Sequence, residues 1–362
     1  MERYTLGALE EMGMLSLGRG KVISRRDLLE QPGPYPVYSS SAADNGEIGR
    51  WGAYLFDDER ITWSIDGGGK LFYRPAHRYS VTNVGGWLRV HSPALSTKFL
   101  YYVLSAQWEK LHFDYVKKAH PSVIRACYTV PLLPIAQQEE IVAILDPFQA
   151  LTDALSAELE GRRVQLGWLR DRLLTGETQM LSAVAELIDC PHSSPRWQES
   201  GVPVIRNFNL CDGRIDPSRL SFVSEEEYRL RVKRAEPAPG DLLFSREAPV
   251  GNVGVVPEGF RCCQGQRVVL LRPDREKILP EFLAQALQSG PVRRSFRRTG
   301  STVENLTLSE LRKVPVPVPA PQRQRELLET LRPLLELTGK TGIPAEIEAR
   351  QAQFRFVREK LI

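Results

Sequence analysis

The sequence lacks the features of secreted, membrane and metal-stabilised proteins. Only 5 of its 362 residues are cysteine, an odd number that does not suggest a framework of disulfides. Four cysteines and one histidine near them in the second half do not show zinc-ligand spacing; they are Cys190, His192, Cys211, Cys262 and Cys263. No signal peptide and no apolar run of about 18 residues is present. We expect a cytoplasmic protein with reduced thiols and no metal site.

An excess of charge of one sign is also missing. The chain has 48 Lys and Arg against 44 Asp and Glu, a net charge of +4. Such a mildly basic balance permits an anionic partner without demanding one. A hydrophobic content of 42% and a charged content of 25% exclude disordered and collagen-like classes.

Recognisable catalytic motifs are absent. There is no GxSxG elbow, no HExxH helix, and no Asp/Asn-Pro-Pro-aromatic stretch with which an amino-methyltransferase grips a flipped base. The stretch 67–70, Gly-Gly-Gly-Lys, ends like a phosphate loop, but Leu71 follows the lysine where Ser or Thr would be needed. A hairpin loop is the better interpretation. We predict that the chain is not an enzyme and binds no cofactor by itself.

What the sequence does contain is an internal duplication. Two long amphipathic stretches, 131–174 and 315–362, each follow a proline-punctuated lead-in and a glutamine-rich turn. Pro147 in the first matches Pro333 in the second, an offset of 333 − 147 = 186. Self-similarity at this scale defines the architecture of a chain. We predict two copies of one module, each a globular part followed by a helical part.

The first helical stretch is a heptad seam. Its members alternate steps of four and three; they are Ile141, Leu145, Phe148, Thr152, Leu155, Leu159, Arg162, Leu166, Leu169 and Leu173. Asp146 and Pro147 have the form of an N-cap followed by proline at the first helical position, so we predict a break and restart there. The second stretch is interrupted over 339–344. Because a lone helix would leave its apolar stripe exposed to water, we predict that the two stretches pack against each other in an antiparallel arrangement.

The globular parts are predicted to be rich in β-sheet, which makes the fold class α+β. Runs of β-branched and aromatic residues alternate with Gly, Asp, Asn and Pro; they lie at 35–40, 47–56, 61–65, 70–74, 79–84 and 87–90, and again at 202–208, 241–247, 252–257 and 267–273. Helical spacing then closes each part, around 99–111 and around 282–287.

Turns and strand ends carry candidate residues for binding nucleic acid. Cations beside small residues suit phosphate contacts. The first globular part has Lys117 and Lys118. The order of elements predicts that the matching place in the second part holds Arg293, Arg294, Arg297 and Arg298. Arg suits guanine, Asn or Gln adenine, and Glu cytosine. The candidate base readers are Ser39, Ser40, Ser41, Asn45, Trp63, Lys70 and Asn83, and Arg206, Asn207, Asn209, Arg246, Glu247, Asn252, Gln264, Gln266 and Arg267. For each of them, an ordinary turn role is the alternative.

The order of strand runs, closing helix and helical stretch, repeated in both halves, resembles the specificity subunits of type I restriction-modification systems. The likeness is carried by YPVYSS, YLFDDERITWSIDG and PLLPIAQQEEIVAILDPFQALT in the first half, and by GVPVIRNFN, PGDLLFSREAPVGNVG and GSTVENLTLSELRKVPVPVP in the second. The usual Glu-Gln-Gln of the family is Gln-Gln-Glu at 137–139 and Gln-Arg-Gln at 322–324.

The resemblance implies a division of labour along the chain. Target recognition domains at 1–130 and 180–314 would each read one half of a split double-stranded DNA site. Helical regions at 131–179 and 315–362 would form an antiparallel coiled coil and dock two modification (methyltransferase) subunits, which restriction (helicase-nuclease) subunits join. S-adenosylmethionine, ATP and Mg²⁺ would then belong to those partners.

Two functions of other classes remain open from the sequence alone. One is a non-enzymatic scaffold whose duplicated modules bind a protein or a carbohydrate. The other is a self-sufficient DNA enzyme with an atypical active site.

Overall fold

The computed structural model describes residues 2–41, 44–66, 68–114, 117–297 and 304–362. The chain forms two compact units: unit 1 is Met1–Ala154 together with Glu348–Ile362, and unit 2 is Leu155–Ile347. Each unit therefore joins segments that are distant in the sequence. Within the described ranges, no helix has the length and apolar character needed to span a membrane.

Unit 1 is built on two sheets. Its strands are β1 (Arg3–Thr5), β2 (Leu15–Arg19), β3 (Tyr35–Tyr38), β4 (Glu47–Trp51), β5 (Arg60–Ser64), β6 (Leu71–Arg74), β7 (Ser80–Val81), β8 (Gly85–Val90) and β9 (Thr129–Pro131). Its helices are α1 (Leu6–Glu11), α2 (Arg25–Glu30), α3 (Thr97–Trp108), α4 (Pro121–Cys127) and the beginning of α5 (Ile135–Leu173), with a 3-10 turn at Asp44–Gly46. The sheet orders are β2-β8-β5-β6 and β4-β3-β7, and β1 pairs with β9.

Unit 2 has the same kinds of element. Its strands are β10 (Thr178–Met180), β11 (Ala185–Ile188), β12 (Trp197–Gln198), β13 (Val202–Ile205), β14 (Leu210–Cys211), β15 (Arg214–Ile215), β16 (Ser221–Val223), β17 (Leu242–Ser245), β18 (Val253–Val255), β19 (Cys263–Gln264), β20 (Val268–Pro273) and β21 (Pro315–Pro317). Its helices are α6 (Leu181–Val184), α7 (Glu225–Arg231), α8 (Pro280–Gln288), α9 (Gly290–Arg294), α10 (Leu308–Arg312), α11 (Pro321–Thr338) and the beginning of α12 (Ile343–Leu361), with 3-10 turns at Asn207–Asn209 and Pro217–Arg219. The sheet orders are β11-β20-β17-β18, β12-β16-β13-β19 and β14-β15, and β10 pairs with β21.

The two globular parts follow one backbone plan, as the duplication predicts. The sheet β2-β8-β5-β6 of unit 1 corresponds in order and pairing to β11-β20-β17-β18 of unit 2. In the smaller sheets, β3 runs parallel to β7 with Tyr38 opposite Val81, and β13 runs parallel to β19 with Ile205 opposite Gln264. These registers give residue-by-residue equivalences between two domains whose side chains differ.

The predicted strands and closing helices are present. Every run of β-branched and aromatic residues contains a strand, and α3 and α8 lie where helical spacing was found. The backbone N–H of Ser64 donates to the carbonyl of Lys70 (3.1 Å), which makes the β5–β6 connection a hairpin and excludes a phosphate loop there. Gly67 lies outside the described residues. Sequence patterns missed several elements, among them β2, α2, α4, β16 and α7.

The predicted heptad seam is confirmed, but the predicted break at Pro147 is wrong. All ten members of the seam are buried or half-buried. The helix α5 is 39 residues long and runs through Pro147 without a break. Asp146 does not cap a new helix, because its carboxylate accepts hydrogen bonds from Lys98 Nζ and Tyr102 Oη of α3, both at 2.6 Å. These tertiary contacts hold the helix where a proline would otherwise break it. The predicted interruption in the second copy is present, between α11 and α12.

Each helical copy packs in two places, and the order of packing is antiparallel. In unit 1, Ile141 and Leu145 of α5 share a hydrophobic core with the last turns of α12, around Val357. In unit 2, Leu166 of α5 shares a core with Leu331 of α11. The earlier part of α5 thus packs with the later C-terminal helix, and the later part of α5 with the earlier one. This order agrees with the predicted antiparallel coiled coil.

A buried glutamine fixes the start of each helical copy. Gln138 is 0% exposed, and its Oε1 accepts the backbone N–H of Ser96 at 2.9 Å, which is the N-cap of α3. Its Nε2 donates to the carbonyls of Ala94 (2.9 Å) and Leu133 (2.8 Å). The side chain ties the lead-in, α5 and the closing helix of the domain together.

The second copy repeats this arrangement at Gln324, an offset of 324 − 138 = 186. Gln324 is also 0% exposed, accepts the N–H of Leu279 at 2.8 Å, and donates to the carbonyls of Lys277 (2.7 Å) and Pro319 (2.8 Å). The glutamine-rich turn of the sequence therefore has a structural role. A single side chain can satisfy these backbone groups only if it both donates and accepts hydrogen bonds, as glutamine does.

Replacing Gln138 by methionine should destabilise unit 1 by about 2 to 4 kcal/mol, because a buried N–H and two carbonyls lose their partner. The neighbouring Gln137 is exposed, so Gln137→Met is a matched control that should change stability by no more than about 0.5 kcal/mol. Urea-induced unfolding of the two variants measures the difference. Equal stabilities of the two variants would show that the hydrogen bonds of Gln138 contribute nothing.

Candidate nucleic-acid interface

Four of the nine predicted base readers of unit 2 meet at the carboxyl ends of two parallel strands. Arg206 and Asn207 follow β13, while Gln266 and Arg267 lie between β19 and β20. The backbone N–H of Gly265 donates to the carbonyl of Ile205 at 2.8 Å, which joins the two strand ends. Parallel pairing thus brings together residues about 60 positions apart in the sequence.

These residues line a cavity of about 220 Å³ that opens on the surface of unit 2. Its wall is polar and aromatic and includes Ser194, Trp197, Arg206, Asn207, Gln266 and Arg267. The Arg206 guanidinium carbon lies 4.6 Å from the ring centroid of Phe208 and 5.4 Å from that of Trp197. Two aromatic side chains therefore hold a cation at the rim of the cavity by cation–π contact.

Buried charges hold the loop that forms one side of this cavity, residues 189–197. Arg231 of α7, 3% exposed, donates from Nη1 to the carbonyl of Ser193 (3.2 Å) and from Nε to that of Gln264 (3.1 Å). Arg246 donates to the carboxylate of Asp189 at 3.1 Å. Burial, followed by the nearby Asp189 charge, raises the pKa of the Cys190 thiol to about 11, so this cysteine is a neutral structural thiol near pH 7.

An acid stands at the equivalent position of each domain, just after the central strand. By strand register Ser64 is equivalent to Ser245, so Asp66 is equivalent to Glu247. Lys118 pairs with Asp66 at 2.9 Å, and Arg267 pairs with Glu247 at 2.9 Å. Part of the positive charge of each candidate surface is neutralised within its own domain.

The matching strand ends of unit 1 carry smaller side chains. Ser39 and Ser40 follow β3, and Asn83 follows β7. The Thr82 hydroxyl donates to the Ser39 hydroxyl at 2.9 Å. Ser41 and Asn45 belong to the next turn, whose Gly46 carbonyl accepts the N–H of Ser39 at 2.9 Å.

A buried arginine supports this turn. Arg74, 2% exposed, donates from Nη2 to the carbonyl of Asn45 (2.6 Å), and its guanidinium carbon lies 3.5 Å from the Tyr38 ring centroid. Burial lowers the pKa of Arg74 to about 10, which leaves it charged near pH 7. Lys70 lines a second cavity together with Asn45 of this turn and with Tyr101 and Tyr102 of α3.

The basic cluster of unit 2 lies in and just after α9. Arg293 donates to the carbonyl of Gly251 at 3.1 Å, whereas Arg294 and Arg297 are exposed. Asn252, the neighbour of Gly251, is half-buried. Arg298 lies outside the described residues.

The predicted match between this cluster and the lysines of unit 1 is wrong. The N–H of Ala119 donates to Ile65, and the N–H of Leu306 donates to Arg246, the equivalent of Ile65. Lys117 and Lys118 therefore correspond to residues just before α10 and not to α9. Recurrence of a basic cluster at equivalent places does not support phosphate binding in this chain.

Three predicted base readers lie in the interior and are corrected to structural roles. Trp63, 2% exposed, donates from Nε1 to the carbonyl of Ala119 at 2.8 Å. Asn209 accepts the N–H of Arg206 at 3.0 Å, and Gln264 donates to the carbonyl of Ile188 at 3.2 Å. Polar side chains near strand ends also satisfy buried backbone groups, and sequence patterns do not separate that task from base reading.

Sequence patterns missed the aromatic residues beside the candidate readers and on the helices. Trp197 and Phe208, which flank Arg206, are both exposed by nearly half. On the helices, Trp168 is 58% exposed and Phe356 is 63% exposed. The signal for the second pair was available, because the two lie 356 − 168 = 188 positions apart, as do Arg170 and Arg358.

A metal centre is not found in the part of the chain that the structure describes. No group of three or more His, Cys, Asp and Glu side chains there could hold a metal ion. What the surface offers is hydrogen-bond donors, aromatic faces and cations at strand ends and loops. These are groups that bind the bases and phosphates of nucleic acids.

Known proteins similar to this chain come from one family. A family model described as type I restriction modification DNA specificity domain matches residues 1–161 and again 182–349. A Mycoplasma pneumoniae protein provisionally named as a type I specificity subunit is 26% identical over 363 residues, which cover 95% of this chain and 93% of that protein. The specificity subunit of the Escherichia coli type I restriction enzyme EcoR124I/EcoR124II is 27% identical over 251 residues, 65% of this chain and 61% of that one.

Two solved structures share the fold. The S subunit of a type I restriction-modification system from M. genitalium gives a TM-score of 0.59 at 16% identity, over 100% of this chain and 96% of that one. A chain from a structure on complex assembly of the type I R-M system gives 0.53 at 15% identity, over 99% and 97%. These likenesses show the mixed helix-and-sheet architecture of two sheet-rich domains and a long helix.

Replacing Arg231 by methionine should release the 189–197 loop. The loss of a hydrogen bond from a charged donor is worth about 1.5 to 3 kcal/mol, so amide exchange in the loop should accelerate roughly 10- to 100-fold. Arg229→Met, on the same helix but exposed, should leave that exchange unchanged. Hydrogen–deuterium exchange resolves the loop from the rest of unit 2. Wild-type protection in the Arg231 variant would show that other contacts hold the loop.

Proposed function

Because the chain belongs to the type I restriction modification DNA specificity family, we propose that it reads a split DNA target, one half with each globular domain. As a specificity subunit it is a non-catalytic component of its restriction-modification system. The observation that carries the split target is the equivalence of the two domains: one backbone plan presents Ser39 and Asn83 in unit 1, and Arg206 and Gln266 in unit 2. Equal scaffolds with unequal side chains at the same strand ends suit two different base sequences.

We further propose that the helical regions dock two copies of one partner, the modification subunit. Trp168 and Phe356 occupy equivalent positions in the two copies of the repeat, and both are exposed. Trp168 lies on α5 in unit 2, and Phe356 lies on α12 in unit 1. Arg172 lies over the Trp168 ring at 5.4 Å, and Lys360 lies over the Phe356 ring at 5.8 Å. The two cations are also 360 − 172 = 188 positions apart.

Such a repeated pair favours a repeated partner. An exposed large aromatic residue with a stacked cation is costly to leave in water and is enriched at the centres of protein interfaces. Because the same pair occurs once in each unit, the same partner surface can be accepted twice. A related chain of known structure was determined in work on complex assembly of the type I R-M system, which supports a partner in general.

The chemistry of the system then falls to the partners. We propose that S-adenosylmethionine is bound by the modification subunits and that ATP and Mg²⁺ are used by restriction subunits that join the complex. The chain itself would supply the choice of sequence. We propose that the chain binds double-stranded DNA in the cytoplasm.

Expression of the chain with the modification subunit of its own system should methylate one bipartite motif, two short specified parts separated by a gap of fixed length. Sequencing that detects modified bases in the host genome reads this motif directly, and cells with the modification subunit alone provide the control. An uninterrupted motif, or no modified motif, would contradict the proposal. A protein or carbohydrate scaffold would leave the genome unmodified.

Replacing Trp168 or Phe356 by alanine should weaken one of the two docking sites. Truncation at an interface hot spot costs about 2 kcal/mol or more, roughly 30-fold in affinity, so each single variant should bind one modification subunit and the double variant none. Leu230→Ala in unit 2 and Leu29→Ala in unit 1 are matched controls, because both leucines are exposed and lie off the long helices. Native mass spectrometry counts the subunits. Two bound subunits in the double variant would refute this docking surface.

A further inference from the structure

Arg206 is a cation of unit 2 that aromatic rings hold in place and that no described carboxylate neutralises. The Arg206 side chain is exposed, and its guanidinium carbon makes cation–π contacts with the rings of Phe208 (4.6 Å) and Trp197 (5.4 Å). Within the described ranges, no carboxylate or carbonyl accepts a hydrogen bond from its guanidinium. The neighbouring Arg267 differs, because it pairs with Glu247 at 2.9 Å. Arg206 therefore retains its donors for a ligand.

The backbone of Arg206 is fixed as well. Its N–H donates to the Oδ1 of the buried Asn209 at 3.0 Å, and its carbonyl accepts the N–H of Asn209 at 2.9 Å. Asn209 is anchored in turn by donating to the carbonyls of Asp216 (3.3 Å) and Arg219 (3.1 Å). A fixed backbone and a stacked side chain reduce the conformational freedom that the arginine would lose on binding.

The cavity beside Arg206 offers further donors and few free acceptors. Asn207 is occupied, because its Nδ2 donates to the carbonyl of Ala248 (2.8 Å) and its Oδ1 accepts the N–H of Phe208 (3.1 Å). The Oε1 of Gln266 accepts the Ser194 hydroxyl at 3.0 Å, which leaves its Nε2 as a donor with no described acceptor. The free groups at this site are thus a guanidinium fork and an amide N–H₂.

A donor-rich site is complementary to an acceptor-rich base edge. In the major groove guanine presents two adjacent acceptors, N7 and O6, whereas adenine adds a donor and cytosine presents mainly a donor. A guanidinium fork matches the two guanine acceptors bidentately. Resting on the proposed function, we infer that Arg206 reads a guanine in the half-site bound by unit 2, with Gln266 as a supporting donor.

The equivalent place in unit 1 explains why this preference belongs to one half-site. The equivalent of Arg206 there is Ser39, whose hydroxyl already accepts a hydrogen bond from Thr82 at 2.9 Å. No guanidinium follows β3. The guanine preference set by Arg206 should therefore disappear from one half-site without any change in the other.

Arg206→Met tests the inference, since methionine keeps an apolar side chain beside the two aromatic rings but donates no hydrogen bond. The chain is expressed with its modification subunit, and modified bases in the host genome define the motif. A bidentate arginine contact discriminates against wrong bases by roughly 10-fold or more. One G·C pair of the second half-site should therefore fall to a preference of less than about 3-fold, with the first half-site and the gap unchanged.

Arg196→Met is the matched control. Arg196 belongs to the 189–197 loop and its side chain is 77% exposed, but it pairs with Glu227, so its loss should leave the motif unchanged. If the Arg206 variant keeps the intact motif, the guanine assignment is overturned but the proposed function stands. An equal loss of methylation at all sites also overturns the assignment, because it indicates that Arg206 contacts a phosphate. If the wild-type chain yields no bipartite motif, the proposed function fails and this inference fails with it.

Discussion

The structure depends on covering the apolar stripe of helices that extend beyond the domain from which they start. The first turns of α5 are covered by unit 1, but its later leucines, such as Leu166, pack in the core of unit 2. The C-terminal pair does the reverse, with Leu331 in unit 2 and Val357 in unit 1. Each domain therefore completes its core with a segment that follows the other domain in the sequence. Neither globular part alone has all of its apolar contacts.

A buried arginine in each copy sets the register of this packing. Arg170 donates to Gln285 at 2.8 Å in unit 2, and Arg358 donates to Glu109 at 2.7 Å in unit 1. Both are almost fully buried, and burial lowers the pKa of Arg170. A buried guanidinium without its partner costs several kcal/mol, about 3 to 5 where a buried pair is broken. A slip of α5 by one turn would separate the first pair, and a slip of α12 would separate the second. These arginines therefore favour one alignment in a seam of otherwise similar leucines.

The sequence was sufficient for the parts of the fold that follow from periodicity. The heptad seam, the interruption after Thr338 and the strand runs are all local patterns, and the structure contains them. Pro147 was misread because its local context has the form of a helix start, whereas the contacts of Asp146 with Lys98 and Tyr102 come from a distant helix. Trp63 and Asn209 were misread for a related reason. Polar atoms at strand ends serve the backbone or a ligand, and only the fold shows which partner is near.

The charge arrangement of the two candidate reading surfaces bears on how sequence specificity would arise. Asp66 and Glu247, at equivalent positions, each neutralise one cation beside the strand ends, and the net charge of the whole chain is only +4. Phosphate contacts bind every DNA sequence alike, so a strongly basic surface would raise non-specific binding together with specific binding. A surface that neutralises part of its positive charge and leaves Arg206 available shifts the balance towards base contacts. That balance would suit the proposed role of the chain, which is to choose a DNA sequence.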